Sequence, residues 1–599
     1  MSDKTVNDFS ITVGTSNGSG SRTSNLTILR ALFKMGIPVT GKNLFPSNIQ
    51  GLPTWYTIRL SKDGYTARRD EHEVVVAMNP DSFERDLNDV LPGGVFFYDD
   101  SIKMPIERDD ITVYPMAVKE IINNSDIPRN LRGLVGNMVY VGVVAQMLGI
   151  KLEKIREALD FHFKGKEKPV TINMDVIEAS AKWAEENLEK SDPYFIEMMD
   201  GTKGLIMSDG NVAAALGSVY GGVQIVGWYP ITPATSLVEN MNGYLSMLRM
   251  DEDGNPTYAV VQAEDELAAI GIAVGGAWAG ARSMTSTSGA GISLMGEFAG
   301  LAYFAEVPIV VWNIQRMGPS TGLPTRTSQG DLNQALYLGH GDTKHIVLLP
   351  GSARECFEFG WKSFDLAERM QAPVFVLSDL DLGQNQWISE PFDYPDAPID
   401  RGKVLWEEDF EEFEAKHGKW GRYKDVDGDG IPYRTIAGNR RQGSSYFARG
   451  TGHDPFARYS EDPDVWIEGM ERLSVKYETA RKFVPDSVVD NVDGASVGII
   501  AFGSTDPAIA EARDMLEAQG LKTNYLRLRA LPLTDTVKNF IEENETVFVV
   551  EMNHDGQLRE ILSVEYPALS TKLVSSTLNN GLPLSAKWIS SDILAKKEK

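Results

Sequence analysis

Three short blocks in the middle of this chain carry residues able to do chemistry. The first is Tyr229-Pro230-Ile231-Thr232-Pro233-Ala234-Thr235, where two prolines flank one threonine after the β-rich run Val223-Gln224-Ile225-Val226-Gly227-Trp228. Proline fixes its own φ and restricts the residue before it, so this spacing predicts a rigid turn at a strand's end. In open α/β sheets ligands bind in the crevice beyond the carboxyl ends of strands. The second block, Val261-Gln262-Ala263-Glu264-Asp265-Glu266, runs into an alanine- and glycine-rich helix and on to Thr285-Ser286-Thr287-Ser288-Gly289-Ala290-Gly291. Glu264 and Asp265 suit the positive end of a helix dipole. Glu266 differs, because the apolar residues after it imply buried surroundings. A carboxyl in such surroundings holds its proton more readily and can share it with a ring nitrogen. In the third block, Val310-Val311-Trp312-Asn313-Ile314-Gln315-Arg316-Met317-Gly318-Pro319-Ser320-Thr321, a strand runs into a polar loop headed by arginine. Arg316 is either one half of a structural surface pair or a ligand group. Its place after a buried strand favours the second, since guanidinium grips a carboxylate at two points and stays charged.

The elements that must position these blocks follow from pattern. At 599 residues the chain is too long for one core. Over residues 1–190 a strand at Phe9–Val13, a glycine-rich turn at Gly14–Ser21 and a helix near Asn25–Met35 open one α/β unit. That turn is either an anion cradle at a helix N-terminus or a plain tight turn; its glycine spacing is neither the dinucleotide fingerprint nor a P-loop. A polar helix over Val176–Lys190 leads to Asp192-Pro193, read as a linker. Over 191–395 short β-branched runs at 259–261, 308–312, 345–349 and 373–377 alternate with helical segments, which indicates a parallel sheet covered on both faces. Residues 396–485 lose periodicity and read as an irregular connection or insertion over the surface. Over 486–599 the pattern returns as a last, smaller α/β unit.

Composition narrows the partners. With 58 basic against 84 acidic side chains the net charge is −26, which disfavours nucleic acid and anionic membrane. The run from Leu267 to Ala281 is too short to span a bilayer, and the start of the chain, Met1-Ser2-Asp3-Lys4, has no apolar signal region, so a cytoplasmic protein is expected. The one cysteine, Cys356, reads as a buried thiol and cannot by itself ligate an iron–sulfur cluster.

Together the three blocks resemble the 2-oxoacid:ferredoxin oxidoreductases, thiamine diphosphate enzymes that oxidatively decarboxylate 2-oxoacids onto coenzyme A; fainter similarity covers nearly the whole chain. The resemblance implies an α/β multidomain fold with thiamine diphosphate-enzyme-like parallel sheets. These would be a pyrimidine-binding domain and a transketolase C-terminal-like domain, behind an N-terminal γ domain. In that family one glutamate hydrogen-bonds the cofactor's aminopyrimidine ring, and aligning the Gly275–Ala281 helix puts Glu266, not Glu264, in that role. By the same resemblance Thr232 and Arg316 hold the 2-oxoacid carboxylate, with Thr321 nearby, and Pro230 and Ile231 contact the cofactor. The glycine turn departs from the family's Gly-Gly-Gln-Gly, carrying Asn17-Gly18-Ser19-Gly20 instead.

Two expected parts are missing from the sequence. No motif for the diphosphate and its Mg2+ is found, and one cysteine cannot hold the cluster. The chain therefore resembles an α subunit with a fused γ domain. A β subunit would supply the diphosphate site, Mg2+ and a 4Fe-4S cluster, ferredoxin would take the electrons, and coenzyme A would be co-substrate in an (αβ)2 heterotetramer. The implied substrate is 2-oxoglutarate, run oxidatively or in the reductive reverse. The alternatives are pyruvate or broad 2-oxoacid use and, from another class, a non-catalytic assembly subunit. Outside the blocks, Asp425-Val426-Asp427-Gly428-Asp429-Gly430 resembles half a calcium loop, with Ile436 where the bidentate glutamate belongs, so a divalent-ion loop and a solvated acidic turn are both open. His340 and His345 read as loop hydrogen-bonding groups; for His554 a place near a site and no such role are both open.

Overall fold

The computed structural model describes residues 4–46, 50–124, 127–129 and 131–597; Met1–Asp3, part of the leaderless start expected above, lie outside them. The first unit is built on a mixed six-stranded sheet. Its strands are β1 (Asp8–Ser16), β2 (Val39–Leu44), β3 (Pro53–Ser61), β4 (His72–Ala77), β5 (Val90–Asp99) and β6 (Thr112–Met116), in the order β2-β3-β1-β4-β5-β6. β1 runs longer than its apolar core predicts and turns directly into helix α1 (Ser21–Lys34). Gly18 and Gly20 make that turn at φ 86° and 83°, backbone that side chains other than glycine rarely adopt. The helix expected at Val176–Lys190 starts earlier, over Glu167–Asn187, and buries Val170, Met174 and Ile177.

The second unit carries the three blocks. Its strands are β7 (Ile225–Trp228), β8 (Ala259–Gln262), β9 (Ser283–Thr287), β10 (Val310–Gln315), β11 (Ile346–Leu348) and β12 (Val374–Asp379), all parallel. Alternate residues of β10 fall into two different cores: Val311 packs with Phe375 and Leu377, whereas Val310, Trp312 and Ile314 pack with Val374 and Val376 on the other face. That is the burial on both faces that continuous apolar strands require.

The last unit holds β13 (Val488–Asp490), β14 (Val497–Phe502), β15 (Thr523–Leu528), β17 (Thr546–Glu551) and β18 (Leu573–Thr577) in one sheet. The short strand β16 (Ala530–Leu531) instead crosses over and pairs antiparallel with β11. One apolar core therefore runs through both units, from Ile270 and Val311 to Phe502, Val549 and Leu558. The first unit is tied on by the buried ion pairs Lys42–Asp381 at 2.7 Å and Arg59–Glu511 at 2.7 Å.

Residues 396–485 are less irregular than their sequence suggests. They contain an 18-residue helix, Pro463–Ala480, started by Asp462, whose carboxylate accepts from the amides of Asp464 and Val465. The helix hides in the sequence because its buried side is partly charged. Arg472 and Lys476 reach the buried carboxylate of Glu306, and against the cost of burial these cations hold that carboxyl well below its usual range. The acidic loop also differs from the divalent-ion reading. The Lys403 ammonium sits between Asp427 and Asp429 at 2.7 and 2.8 Å and donates to the Ile431 carbonyl. Asp425 is spent on the amides of Asp427, Gly428 and Gly430. Among the described residues no group of three or more His, Cys, Asp or Glu side chains could hold a metal ion. The loop's carboxylates are engaged by an internal cation and by the loop's own amides.

Candidate active site

The turn after β7 is locked by its neighbours. The Pro233 carbonyl accepts from Asn211 Nδ2 at 3.0 Å and Gln384 Nε2 at 3.2 Å, and the Ile231 carbonyl accepts the Thr235 amide at 3.0 Å. Pro230, Ile231 and Thr232 are left half-buried at the strand's carboxyl end.

Asp265 caps helix Glu266–Trp278 by accepting the Ala268 amide at 2.8 Å, which makes Glu266 the first helical residue. Glu264 is exposed and Glu266 is buried, as the apolar run after it predicts. Among the described residues no donor is hydrogen-bonded to the Glu266 carboxylate. The short helix after β9, Ala290–Leu294, passes beside it at Gly291, where a Cβ would stand 2.0 Å from Thr287 Oγ1 and 3.1 Å from Glu266 Oε1. Glycine is required there because the carboxylate and the buried Thr287 hydroxyl, unpartnered among the described residues, already fill the space.

Arg316 leaves the end of β10 with only 6% of its surface exposed. Its Nη1 donates to the Thr232 carbonyl at 2.8 Å, its Nε has no partner, and it makes no ion pair among the described residues. Burial lowers its pKa, and the more distant charges of Asp331 and Glu266 offset part of that. A buried cation held in one orientation with donors to spare is a receptor for an anion. Behind it runs a relay that sequence reading missed. Asn313 Oδ1 accepts the Gly289 amide at 3.2 Å, and its Nδ2 donates to Asp331 at 2.9 Å. The Asp331 amide donates to Gln315 Oε1 at 3.1 Å. Alternate polar residues on a buried strand, Asn313 and Gln315, were the available signal.

Arg316, Gly289 and Ser320 line a cavity of about 740 Å3 whose far wall comes from the last unit, including His554. Thr321 stands exposed one residue beyond Ser320 and does not line it. His345 is buried, with a ring nitrogen on the Leu338 carbonyl at 2.7 Å. A second cavity, about 760 Å3, lies between the Gly18–Ser21 turn with Arg22 and the second unit's Asp209 and Gln386. Burial pushes the Asp209 carboxyl up to about 6.

Residues 216–397 match the family described as pyruvate flavodoxin/ferredoxin oxidoreductase, thiamine diphosphate-binding, and residues 10–183 match pyruvate ferredoxin/flavodoxin oxidoreductase. The alpha subunit of 2-oxoacid:ferredoxin oxidoreductase 2 from Aeropyrum pernix is 30% identical, over 96% of this chain and 96% of that one. The chain belongs to the 2-oxoacid:ferredoxin oxidoreductase family, among its alpha subunits. A solved member, the 2-oxoglutarate:ferredoxin oxidoreductase of Magnetococcus marinus with 2-oxoglutarate, coenzyme A and succinyl-CoA bound, is 29% identical. It superimposes with a TM-score of 0.87 over 98% of this chain and 99% of that one. The 2-oxoglutarate synthase subunit KorA of Methanothermobacter thermautotrophicus is 33% identical over 59% of this chain and 89% of its own length. In the family's terms, the unit that carries Thr232, Glu266 and Arg316 is the thiamine diphosphate-binding one. The expected multidomain α/β fold with parallel sheets is the one observed. No helix among the described residues is long and apolar enough to cross a membrane.

Proposed function

We infer that this chain is the catalytic α subunit of a thiamine diphosphate-dependent 2-oxoglutarate:ferredoxin oxidoreductase. It would convert 2-oxoglutarate and coenzyme A to succinyl-CoA and carbon dioxide, pass two electrons to ferredoxin, and be capable of the reverse. The observation that carries this reading is Arg316: buried, without an ion pair among the described residues, and oriented by the Thr232 carbonyl toward a cavity of about 740 Å3. In this reading Arg316 and Thr232 grip the 2-oxoacid carboxylate. Pro230 and Ile231 border the cofactor. Glu266 hydrogen-bonds the aminopyrimidine and exchanges a proton with its ring nitrogen, a role that its burial and its free carboxylate fit. The cofactor, when bound, supplies the nucleophilic carbon and the electron sink. The cavity beside the Gly18–Ser21 turn offers helix amides and Arg22 to an anionic co-substrate, which supports coenzyme A there.

The diphosphate, Mg2+ and the 4Fe-4S cluster fall to a β subunit in an (αβ)2 assembly in the cytoplasm. In support, the single thiol, Cys356, is buried in a core and pushed well above its usual pKa by burial. The family descriptions name pyruvate, so the same site acting on pyruvate is the rival reading. A non-catalytic subunit is disfavoured, because a scaffold has no need of Thr232, Glu266 and Arg316 converging. The test is to co-purify the chain with its partner and assay a panel of 2-oxoacids with a viologen acceptor. A higher kcat/KM for pyruvate would discard 2-oxoglutarate, and activity of the chain alone would discard the two-subunit assembly.

A further inference from the structure

A second buried guanidinium has donors to spare, and it lies outside the site described above. Arg422, in the segment 396–485, is 2% exposed, and its Nη2 donates to the main-chain carbonyl of Glu306 at 2.9 Å. Its Nε and Nη1 are buried without a hydrogen-bond partner, and it makes no ion pair, among the described residues. Guanidinium does not shed its proton when buried, so the charge has to be answered where it stands. The buried carboxylates of this region are already committed. Glu306 is held by Arg472 and Lys476, and Glu368 by Arg282 at 2.9 Å, Arg434 at 3.0 Å and Arg401 at 3.3 Å. The half-buried Asp365 adds one more carboxylate, on Arg282. Cations are therefore in excess here, although the chain as a whole carries −26. Lys476 registers the crowding: burial, with the charges of Arg472 and Arg422, lowers its ammonium to about 8 against the pull of Glu306.

Arg422 and Arg434 line one small cavity, about 10 Å3, where the segment 396–485 meets the end of helix Glu266–Trp278. Arg434 is 4% exposed, and its Nε is likewise buried without a partner among the described residues. A space of that size admits about one water-sized body, so the groups that wall it share a single occupant. The remaining polar walls are engaged. Glu306 gives its carbonyl to Arg422 and its carboxylate to Arg472 and Lys476, and the Thr435 hydroxyl donates to the Ser444 carbonyl at 2.8 Å. The negative pole of the helix is met by Arg401, which donates to the Gly280 carbonyl at 2.7 Å. The Tyr446 hydroxyl lies beside Arg422 and can turn its proton into the cavity. The rings of Tyr423 and Tyr446, with centroids 4.9 and 5.6 Å from the guanidinium carbon, soften the cost of burying Arg422 without cancelling its charge.

The geometry points to a binding site for one small monovalent anion of the halide class between Arg422 and Arg434, with the Tyr446 hydroxyl as a further donor. An anion satisfies the free N–H groups and the surplus charge together, whereas a water satisfies only the N–H groups. The size of the cavity excludes phosphate, sulfate and organic acids. Both arginines belong to the segment 396–485 and Glu306 to the unit that carries Arg316, so the ion ties that segment to the catalytic unit. Its role is structural, and the site stands whether or not the 2-oxoacid reading does.

The test uses the full chain, with chloride and bromide as the probes. Thermal melts are run at fixed pH and ionic strength while gluconate is replaced by chloride. Wild-type Tm is expected to rise by roughly 2 °C and to saturate, as it does when a ligand binds only the folded state. Arg422→Met, which keeps the apolar stem and removes the charge, should lose that rise and should melt no lower than wild type in gluconate. Because this variant has to fold to be informative, a second measurement is made on wild type alone. Crystals grown without halide are soaked in bromide, and an anomalous peak is expected between the Arg422 and Arg434 guanidinium groups. A wild-type Tm indifferent to the exchange overturns the site, as does a chloride rise of the same size in Arg422→Met. A peak at that position without anomalous signal marks a water and overturns it too. A bromide peak with no chloride effect on Tm marks an adventitious ion only, and that also overturns it.

Discussion

Arg316 Nη1 donates to the main-chain carbonyl of Thr232 at 2.8 Å, joining the ends of β10 and β7 across the intervening β9. The bond uses one guanidinium nitrogen for orientation and leaves the others for a ligand. Because the acceptor is a main-chain atom, the arrangement tolerates changes in the Thr232 side chain better than changes in Arg316.

Arg316→Lys keeps the charge but loses the planar grip and the tie to Thr232. Losing a charge-assisted hydrogen bond costs about 1.5–3 kcal/mol, so kcat/KM for the 2-oxoacid should fall roughly ten- to hundredfold, mostly through KM. Steady-state kinetics on the complex measure this, and the KM for coenzyme A should stay close to wild type.

Glu266→Gln should slow exchange of the cofactor's C2 proton by about two orders of magnitude, the usual scale of acid–base assistance. Glu264→Gln should do far less, since Glu264 is exposed. Deuterium exchange at C2, followed by NMR on the assembled complex, separates the two. Damage from Glu264→Gln alone would show that the wrong carboxylate has been assigned.

Stability should peak in mildly acidic solution. Burial raises the carboxyls of Asp209 and Asp379 to about 6 and Glu551 to about 7, from ordinary values of 3.8 and 4.5. A raised pKa means the folded state binds the proton more tightly, so this stability is full below the ordinary value and lost as pH rises through 6 to 7. Glu306 and Glu355 act oppositely. Although burial opposes it, arginine and lysine partners hold them low, and their contribution is lost as pH falls below about 4.5. Self-repulsion at a net charge of −26 adds to the loss at higher pH. The buried ring of His345 works the other way, since burial lowers it to about 4 and its contribution is lost as pH falls below 6.5. Thermal melts should show Tm higher at pH 5 than at pH 7.5, by less than the carboxyls alone would give; a lower Tm at pH 5 would show that the histidines outweigh these carboxyls.

Lys403→Ala leaves Asp427 and Asp429 facing each other without their cation. The loss should be about 1–2 kcal/mol, after allowance for the partial exposure of Lys403. Wild-type Tm should ignore both chelator and millimolar Ca2+, whereas the variant should regain stability with added Ca2+. A chelator-sensitive wild type would restore the divalent-ion reading of this loop.

Much of this protein is legible in its sequence. The apolar runs of β7, β10 and β12, the proline-flanked Thr232 and the apolar helix behind Glu266 each encode their own burial locally. Residues i and i+2 of a strand, or the first turn of a helix, are decided by neighbours in sequence. What the tertiary structure alone decided are relations between distant residues. These include the bond from Arg316 to Thr232, the transfer of Ala530–Leu531 to the second unit's sheet, and the convergence of His554 with Arg316 on one cavity. The charged helix Pro463–Ala480 and the Lys403 ammonium inside the acidic loop belong with them. In both, a polar residue satisfies a polar partner far along the chain, and no local periodicity announces such a pair. Apolar burial is written into the sequence one element at a time, whereas the pairing of charges and hydrogen-bond donors is settled only when the elements pack.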